Sequence, residues 1–379
     1  MKHFYFRALL AAVLLVSALV TQGCAARPPA SSRTLFAMDT VMELTVYGTP
    51  SSGSAEALLD EASSLIASLE SAFSVMDPES EISAVNRAGK GAVGPDTEEL
   101  LRSVLGLSER TGGALDCTVY PVVRAWGFTT GTYRVPSREE LDLLCSLVNW
   151  TAVGISDGTV TLGEGQMIDP GAVAKGYAGD KVLRLFRENG ITSALVNLGG
   201  NVQALGAKPD GSPWRIAVAD PRGNGYAGIL EAVDRAVVTS GGYERYFEEN
   251  GTVYRHIIDP ADGMPVDNGL SSVTVIGERG ILCDALSTAL FVMGEEKAAR
   301  FWKQSDDFEA VLLTEDGRIL VTEGIADVYT PCGSWENAPR TVIRHDENED
   351  MDPHFRIPSA DRGGTGALSA SEKPVRHGG

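Results

Sequence analysis

The sequence predicts an α+β (mixed α/β) fold. Helix-like and strand-like periodicities alternate irregularly along residues 34–343, no βαβ period is sustained, and there is no convincing internal repeat. A segment of this length is long enough for a single large body of two intimately packed α/β subdomains. We therefore expect one mixed body rather than a doubly wound parallel sheet.

The N-terminal part of this segment begins with strand-like residues and continues with helices. A mixture of apolar residues with Thr and Val over Thr34–Tyr47 is typical of strands. A small polar residue ahead of an apolar run marks a helix start, and such starts occur at Ser54, Asp96-Thr-Glu-Glu99 and Ser137-Arg-Glu-Glu140. The second of these has the form of a capping box.

The middle of the chain combines a hairpin, a helix and a strand. Asp157-Gly158 between two short β-forming runs predicts a tight hairpin. The next helix is expected from about Ala172 to Glu188, where Asn189-Gly190 provides a C-terminal stop. The apolar run Thr192–Leu198 then indicates a buried strand.

The C-terminal part is dominated by strands, which we expect at Arg215–Ala219, Leu230–Thr239, Val253–Ile258 and Leu270–Ile276. A helix from about Leu282 to Met293 and a hairpin around Asp316-Gly317 follow. Residues 344–379 are rich in charge, Gly, Ser and Pro and poor in large apolar side chains, so we expect a disordered tail there.

The first 23 residues have the form of a secretory signal, in which basic residues precede an apolar run at 8–20 that is too short to span a bilayer. Cys24 follows this run, which suggests a lipoprotein-type signal peptide (1–23), acylation of Cys24 and a linker at 24–33. We expect an extracytoplasmic protein, lipid-anchored to a bacterial membrane on the periplasmic side of the inner membrane or at the outer cell surface. The alternative is ordinary signal cleavage, which would release a soluble secreted protein.

Charge and cysteine content exclude several classes of function. A net charge of −19 and a pI of about 4.7 argue against nucleic acid as a partner and favour small molecules and proteins. Five histidines and no CxxC spacing disfavour a zinc or iron–sulfur site. The remaining cysteines are expected to be buried small hydrophobes, with disulfide pairing as the alternative, and they are Cys117, Cys145, Cys283 and Cys332.

The segment Ile168–Asp180 is the most informative in the chain. It places Asp169, a Pro-Gly turn and Lys175 at the start of a predicted helix, where unpaired backbone N–H groups and the helix dipole favour an anion. Gly171 and Gly176 would let a phosphate ester approach the main chain, and the carboxylate would bind a sugar, a base edge or a metal. The alternative is an ordinary strand-to-helix connection with a surface lysine.

Asp284 and Thr288 are candidate metal ligands. They are four residues apart in a predicted helix, so their side chains share one face, and their oxygens are hard ligands. With a main-chain carbonyl from Gly171-Ala172 they would form a partial oxygen shell of the kind that Mg²⁺ accepts when phosphates and water complete it. Helix capping by Asp284 is the alternative.

His256 begins a segment that turns at Asp262-Gly263 and ends at Pro265. An imidazole at the end of a strand can act as a general base or hold a phosphate, although a single histidine is more often structural. Its place in a series that includes Ser240-Gly-Gly-Tyr243 and Asp284 favours a functional role.

Together these motifs resemble those of the ApbE family, the FAD:protein FMN transferases. The similarity runs from about Thr34 to Tyr329 and covers nearly all of the segment expected to fold. The matching elements are Ala37-Met-Asp-Thr40, Ser80-Glu-Ile-Ser83 with Asn86, Leu115-Asp-Cys-Thr118 with Pro121 and Trp126-Gly-Phe128, Asp169 to Tyr177, Asn197-Leu-Gly-Gly-Asn201, Ser240-Gly-Gly-Tyr243, His256 to Pro265, and Asp284 to Thr288.

The resemblance implies an ApbE-like fold and transfer of FMN from FAD to a Thr or Ser hydroxyl of an acceptor protein, with AMP released. It implies FAD as substrate, Mg²⁺ as cofactor with Mn²⁺ as the alternative, and acceptor proteins that carry a Ser/Thr-Gly-Ala-Ser/Thr type motif. His256 becomes the candidate catalytic side chain, and the implied metal ligands are Asp284, Thr288 and the main-chain oxygen of Ala172. The residues implied to bind FAD are Met38, Ala114, Leu115, Asp116, Asp169, Lys175, His256 and Ile257.

Two positions depart from the family pattern. Ser74-Val-Met76 stands where tyrosine is common, so a flexible thioether replaces an aromatic contact. Asp169-Pro-Gly-Ala172 stands where Asp-Leu-Gly-Gly is usual, and its proline stiffens the turn. In the tail, Asp361-Arg-Gly-Gly-Thr365-Gly-Ala-Leu368 resembles an acceptor sequence, but leucine at the acceptor position has no hydroxyl to modify.

Two other interpretations of the same residues stay open. With water as acceptor, the site would act as an FAD pyrophosphatase that gives FMN and AMP, because an activated pyrophosphate can be attacked by any well-placed hydroxyl. A non-catalytic flavin-binding lipoprotein would instead be expected to lack the metal ligands or the histidine, which this chain retains.

Overall fold

The computed structural model describes residues 29–223 and 225–345. The predicted signal peptide, Cys24 and nearly all of the predicted disordered tail lie outside the described residues. The seven helices of the described chain are α1 (Ala55–Phe73), α2 (Glu81–Ala88), α3 (Pro95–Arg110), α4 (Tyr120–Trp126), α5 (Arg138–Cys145), α6 (Gly171–Glu188) and α7 (Gly280–Lys303). None of these helices is both long and apolar enough to cross a membrane.

The strands of the described chain form four sheets. In chain order they are β1 (Ala30–Ala37), β2 (Thr40–Tyr47), β3 (Lys90–Ala92), β4 (Gly154–Ser156), β5 (Thr159–Thr161), β6 (Ser193–Leu198), β7 (Asn201–Leu205), β8 (Trp214–Ala219), β9 (Tyr226–Ala232), β10 (Ala236–Gly241), β11 (Tyr246–Glu249), β12 (Thr252–Arg255), β13 (Leu270–Gly277), β14 (Phe308–Thr314), β15 (Ile319–Thr322), β16 (Tyr329–Pro331) and β17 (Arg340–Ile343).

The largest sheet has nine strands in the order β1-β2-β6-β7-β10-β13-β14-β15-β17. Neighbouring strands are antiparallel except for the parallel pair β15–β17. Two three-stranded sheets have the orders β16-β9-β8 and β3-β5-β4, and β11–β12 is a separate hairpin. The predicted α+β class is confirmed.

The nine-stranded sheet separates two apolar cores. On one face, α1, α6 and the start of α7 pack against β2 and β6 through buried side chains such as Ile66, Val182 and Val196. On the other face, the β16-β9-β8 sheet packs over the middle strands through Trp214 and Val311 among others. Cover on both faces explains why β13, β14 and β15 are buried along nearly their whole length rather than at alternate positions.

Several predicted element boundaries are confirmed by their hydrogen bonds. The Ser54 and Ser137 hydroxyls cap α1 and α5 by accepting from the backbone N–H groups of Ala57 and Glu140, each at 3.2 Å. The hairpin predicted at Asp157-Gly158 joins β4 to β5, and that at Asp316-Gly317 joins β14 to β15.

The capping box predicted at Asp96 is wrong. Gly94 is the N-cap of α3 and Pro95 occupies its first turn, a position that suits proline because its missing N–H would be unpaired there anyway. Asp96 therefore lies inside the helix, and its carboxylate accepts from the Tyr177 hydroxyl at 2.9 Å and pairs with Lys181 at 2.6 Å. These contacts tie α3 to α6.

Two predicted strands are each divided by a turn. Thr34–Tyr47 is the hairpin β1–β2, which reverses at Met38 and Asp39. Leu230–Thr239 covers parts of β9 and β10, which lie in different sheets and are separated by a turn with Asp234 at φ 50°. The turn Val233-Asp-Arg235 was not predicted because it contains neither glycine nor proline, the residues that most clearly mark a turn in a sequence.

Candidate active site

A cavity of about 420 Å³ opens between the β1–β2 turn, the start of α6, the end of β10 and the segment that follows β12. It is lined by every described residue that the sequence nominates for the site: Met38, Ala114, Leu115, Asp116, Asp169, Ala172, Lys175, His256, Ile257, Asp284 and Thr288. The fold therefore brings the predicted residues together, whereas the role of each one stays a prediction. The proposed lipidation site, Cys24, lies outside the described residues.

The base of the cavity is formed by α6 and α7. Each of these helices has an aspartate carboxylate that accepts hydrogen bonds from the backbone of the other. Asp284 Oδ2 on α7 accepts from the Gly176 backbone N–H on α6 at 2.7 Å. Asp180 on α6 accepts from the first backbone N–H groups of α7, at Gly280 (2.6 Å) and Ile281 (3.0 Å). Asp180 thus caps α7 across the helix interface, which leaves Asp284 free of the capping role considered from sequence.

Glycine at position 176 is required by helix packing. A Cβ there would lie 2.4 Å from the Gly280 carbonyl oxygen and 2.8 Å from the Asp284 Cβ. Gln203 fills the space beside this contact, since its Nε2 donates to the Gly176 carbonyl at 3.0 Å. The expectation that Gly176 lets a phosphate approach the main chain is therefore wrong, because its open side is occupied by α7.

The oxygens of Asp284, Thr288 and Ala172 fit a hard divalent cation. In a regular helix the Gly176 N–H points at the Ala172 carbonyl, so an Asp284 oxygen 2.7 Å from that nitrogen lies beside this carbonyl. Thr288 is one turn further along α7, with its Oγ1 3.1 Å from Ser240 Oγ. No group of three His, Cys, Asp or Glu side chains suited to a metal occurs in the described chain, and Mg²⁺ needs few protein ligands when phosphates supply the rest.

Asp284 is a buried carboxylate near the positive charge of Lys175. Its side chain is buried, and burial raises the pKa of the carboxyl, while the charge of Lys175 and the Gly176 N–H act in the opposite direction. A cation bound at this carboxylate would offset the cost of its burial.

Asp169 is held rigidly at the cavity wall. The side-chain amide of Asn86 both donates to and accepts from the Ile168 backbone, at 2.8 Å in each case, and the Asp169 N–H donates to the Cys117 carbonyl at 2.9 Å. Asp169 Oδ1 accepts from the Gly171 N–H at 2.8 Å. Burial raises the pKa of this carboxyl, against the nearby charges of Arg245 and Lys175.

Asp116 lines the cavity with a carboxylate that is already well bonded. Its Oδ1 accepts from the N–H and hydroxyl of Thr118 at 2.8 and 2.6 Å, and its Oδ2 accepts from the Trp150 N–H at 3.1 Å. These bonds fix the loop between α3 and α4. Both carboxylate oxygens of Asp116 therefore already have hydrogen-bond partners within the protein.

His256 follows β12 and is partly buried at the cavity wall. Its backbone N–H donates to the Arg245 carbonyl at 3.0 Å, and its Nδ1 lies 3.2 Å from the same oxygen. Burial, together with the positive charges of Arg245 and Lys175, lowers the pKa of His256 from 6.5 to about 4. The imidazole is therefore neutral at pH 7 and has an electron pair available.

An aromatic cluster positions His256. Phe247 and Tyr254 on the β11–β12 hairpin stack with centroids 5.1 Å apart, and Trp126 on α4 lies 5.2 Å from Tyr254. Phe128 meets the His256 ring edge-on at 6.4 Å. The hairpin is thus fixed to α4 by ring packing, which holds the histidine at the cavity.

Two cations face the cavity, Lys175 and Arg245. Neither forms an ion pair within 4.0 Å with any other residue of 29–223 or 225–345. In a chain of net charge −19, two unpaired cations at one cavity indicate an anionic ligand. Arg245 was not singled out from the sequence, because an isolated arginine in a turn has no distinctive spacing.

The β1–β2 turn was also missed as a strained element of the site. Met38 and Asp39 have φ of 47° and 60°, the left-handed region that two-residue hairpin turns usually fill with Asn and Gly. Glu70 on α1 accepts from the Met38 N–H at 2.6 Å and holds the turn against the cavity. A Met-Asp pair between two β-forming runs was the available, weak signal.

Met76, at the position where the family commonly has tyrosine, lines the cavity and is 57 % exposed. Ser74 is fixed nearby, since its hydroxyl accepts from the backbone N–H groups of Met76 and Asp77 at 3.2 and 3.1 Å. The thioether is therefore placed at the rim, where a ligand or a partner can reach it.

Comparison with known proteins gives a consistent result. A model of the ApbE family matches residues 38–312. The chain is 33% identical over 326 residues to the FAD:protein FMN transferase of Treponema pallidum (strain Nichols), covering 80% of this chain and 90% of that protein. It is also 33% identical over 295 residues to the Vibrio cholerae (strain O395) protein of the same name, covering 75% and 88%.

Solved structures agree with the sequence matches. The ApbE protein of Thermotoga maritima superposes with a TM-score of 0.73 at 31% identity, covering 78% of this chain and 98% of that one. The apo flavinyl transferase ApbE of Pseudomonas stutzeri gives 0.74 at 29% identity, covering 81% and 98%.

Proposed function

Because this chain belongs to the ApbE family, we propose that it is a flavin transferase that moves FMN from FAD to a Thr or Ser hydroxyl of an acceptor protein and releases AMP. The observation that carries the proposal is the convergence of His256, the Asp284–Thr288–Ala172 oxygens and two unpaired cations on one cavity. Together they meet the needs of a reaction at a pyrophosphate: charge neutralisation, fixed donors and a proton acceptor.

Binding of the FAD diphosphate is assigned to Lys175, Arg245 and the start of α6. The two cations are unpaired in the described chain, and the N-terminal end of α6 contributes the positive end of its dipole. These groups would fix the pyrophosphate so that an incoming hydroxyl reaches the FMN phosphorus opposite the leaving AMP oxygen.

Asp284, Thr288 and the Ala172 carbonyl would hold Mg²⁺, with Mn²⁺ as the alternative. The bound cation would neutralise charge that develops on the pyrophosphate. In the reaction, the bond between the FMN phosphorus and the bridging oxygen breaks, a bond from that phosphorus to the acceptor oxygen forms, and AMP leaves with the bridging oxygen.

His256 is the proposed proton acceptor for the attacking hydroxyl. Its low pKa keeps it neutral at pH 7, and a neutral imidazole can accept a hydrogen bond from the hydroxyl. The negative charge of bound FAD would raise this pKa towards the working pH and make the imidazole a better base.

The acceptor and the location of the protein are also proposed. We expect an acceptor with a Ser/Thr-Gly-Ala-Ser/Thr type motif, and a lipid anchor at Cys24 that holds the enzyme at the extracytoplasmic face of a bacterial membrane. Mass spectrometry of the mature N-terminus checks the anchor, because an unacylated start beyond Cys24 would contradict it.

The deciding experiment incubates the purified protein with FAD, Mg²⁺ and an acceptor domain that carries the motif, and then measures in-gel flavin fluorescence and AMP. The matched control is the same acceptor with its final Ser or Thr replaced by leucine. Fluorescence on the motif-bearing acceptor, with none on the leucine control, supports the transferase. Release of AMP and free FMN without labelled protein would instead identify a pyrophosphatase. The absence of both labelled protein and AMP would identify a flavin-binding protein without catalysis.

A further inference from the structure

Two exposed apolar side chains lie side by side next to the cavity. Phe36 is 72 % exposed and Val41 is 63 % exposed, and they are direct partners across the β1–β2 hairpin. Their sequence neighbours Leu35 and Met42 point to the opposite face, where they belong to the core under α1. The Phe36–Val41 patch is therefore on the face of the sheet that α1 does not cover.

The rest of this face is covered further from the cavity. Tyr47, at the other end of β2, packs against Trp214 of β8 with ring centroids 5.7 Å apart. The small β16-β9-β8 sheet thus covers that end of the hairpin. Its cover does not extend to Phe36 and Val41, which remain exposed.

The patch continues directly into the cavity rim. Met38 and Asp39, which line the cavity, form the turn that joins the two patch strands. Phe36 is two residues from Met38, about 7 Å along a strand. Met76, itself 57 % exposed, lines the same cavity.

We infer that the Phe36–Val41 patch is the docking surface for the acceptor protein. The inference rests on the proposed function, because the acceptor hydroxyl must enter the cavity while the rest of that protein remains outside at the rim. The chemistry fits an extended segment in which small residues surround the hydroxyl and an apolar side chain follows within two to four positions. At about 3.4 Å per residue, two residues of such a segment span the distance from the cavity rim at Met38 to Phe36. β1 is also the edge strand of its sheet, so its outer backbone can support such a segment.

The test compares Phe36→Thr/Val41→Thr with Leu143→Gln in the full-length enzyme. Leu143 on α5 is also 72 % exposed but does not line the cavity, and is the matched control. With the motif-bearing acceptor domain as probe, we expect the double variant to raise the acceptor KM about tenfold, as loss of two modest apolar contacts implies. We expect its kcat at saturating acceptor and its Kd for FAD to stay within about twofold of the wild-type values, and its thermal midpoint to stay within a few degrees. The control variant should match the wild type in all of these measurements.

An unchanged acceptor KM in the double variant would overturn the docking surface. A Kd for FAD that rises in proportion to the acceptor KM would also overturn it, because the substitutions would then have disturbed the cavity. A loss of vesicle binding or of self-association without a change in KM would assign the patch to a membrane or to a second copy of the chain. Wild-type protein that labels no acceptor would overturn the proposed function itself, whereas labelling with equal KM values rejects only the surface.

Discussion

At the scale of single residues, burial sets the chemistry of the site. Asp284 is 5 % exposed, accepts one backbone N–H and lies near one cation, Lys175. His256 is kept neutral by burial and by two positive neighbours. These titratable residues could be identified from the sequence, because their chemistry is evident from their residue type alone.

Replacement of Asp284 by alanine should abolish Mg²⁺-dependent transfer while the fold is retained. The variant loses a metal ligand but leaves no unpaired buried charge, so the fold should persist at a cost of about 1–3 kcal/mol for the Gly176 N–H that loses its acceptor. The measurements are the transfer rate across a Mg²⁺ titration and the rise in thermal midpoint on adding Mg²⁺, which should vanish because the bound cation no longer stabilises the native state.

Asp284→Asn is the matched control for that experiment, since it keeps an oxygen for the Gly176 N–H but removes the charge. It should retain the stability of the wild type more closely than the alanine variant while binding the metal weakly. Undiminished Mg²⁺-dependent transfer in either variant would refute the metal assignment.

Replacement of His256 by glutamine should reduce the loss of stability in acid. The folded-state pKa of about 4 lies below the unfolded value of 6.5, so the unfolded chain binds the extra proton first as the pH falls. The stability is therefore fully present above pH 6.5 and decreases as the pH falls towards 4, by about 1–2 kcal/mol at pH 5.

Urea unfolding of wild type and His256→Gln at pH 5 and pH 8 measures this effect. The difference in unfolding free energy between the two pH values should be smaller in the variant by that amount. An equal pH dependence in the two proteins would show that the imidazole is not shifted.

At the scale of elements, the site depends on how closely α6 crosses α7. Their contact joins residues 108 positions apart through the Gly176–Asp284 hydrogen bond. The predicted start and end of α6 and its Lys175 follow from local signals. The crossing itself does not, because a helix-packing glycine and a ligand-binding glycine look the same in a sequence.

Replacement of Gly176 by alanine should therefore destabilise the protein by about 1–3 kcal/mol, as overpacking of a buried contact does. The new Cβ would meet the Gly280 carbonyl at 2.4 Å, which can be relieved only by moving backbone. The metal-dependent rise in thermal midpoint should weaken as well, because Asp284 moves with α7.

Gly106→Ala provides the comparison, because a Cβ at this position in α3 meets nothing within 4 Å. It should leave the stability unchanged or raise it by up to about 1 kcal/mol, through helix propensity. Chemical denaturation of both variants is the measurement, and an equal effect of the two substitutions would contradict the packing role of Gly176.

At the scale of the whole molecule, the net negative charge disfavours binding of an anionic ligand everywhere except near the two cations of the cavity. The chain carries −19, while FAD is an anion, so binding relies on the local field of Lys175 and Arg245. Acidic side chains also line the cavity, among them Asp39, Glu70 and Glu244.

Lys175→Gln should raise the Kd for FAD about tenfold at low ionic strength, and the difference from the wild type should shrink as salt is added, because screening weakens the lost attraction. Fluorescence titration at two salt concentrations measures it. Arg215→Gln on β8, which removes an exposed charge away from the cavity, should leave the Kd unchanged. Equal Kd values for Lys175→Gln and the wild type would exclude a direct role in binding.

The sequence by itself determined the α+β class, the starts of α1 and α5, the hairpins at Asp157-Gly158 and Asp316-Gly317, and a family resemblance that the comparisons confirm. These features are local or depend on side-chain type at fixed spacing, so they can be read without knowing how distant segments meet. The residues implied for the site were also available in this way, and they share one cavity.

Only the tertiary structure decided that Gly176 serves the α6–α7 contact, that Asp180 rather than Asp284 caps α7, and that Arg245 joins Lys175 at the cavity. It also placed Met38 in a left-handed turn held by Glu70. Each of these depends on strand order and helix crossing over long separations. No short-range periodicity in the chain encodes such through-space contacts, because they arise only when the nine-stranded sheet is assembled.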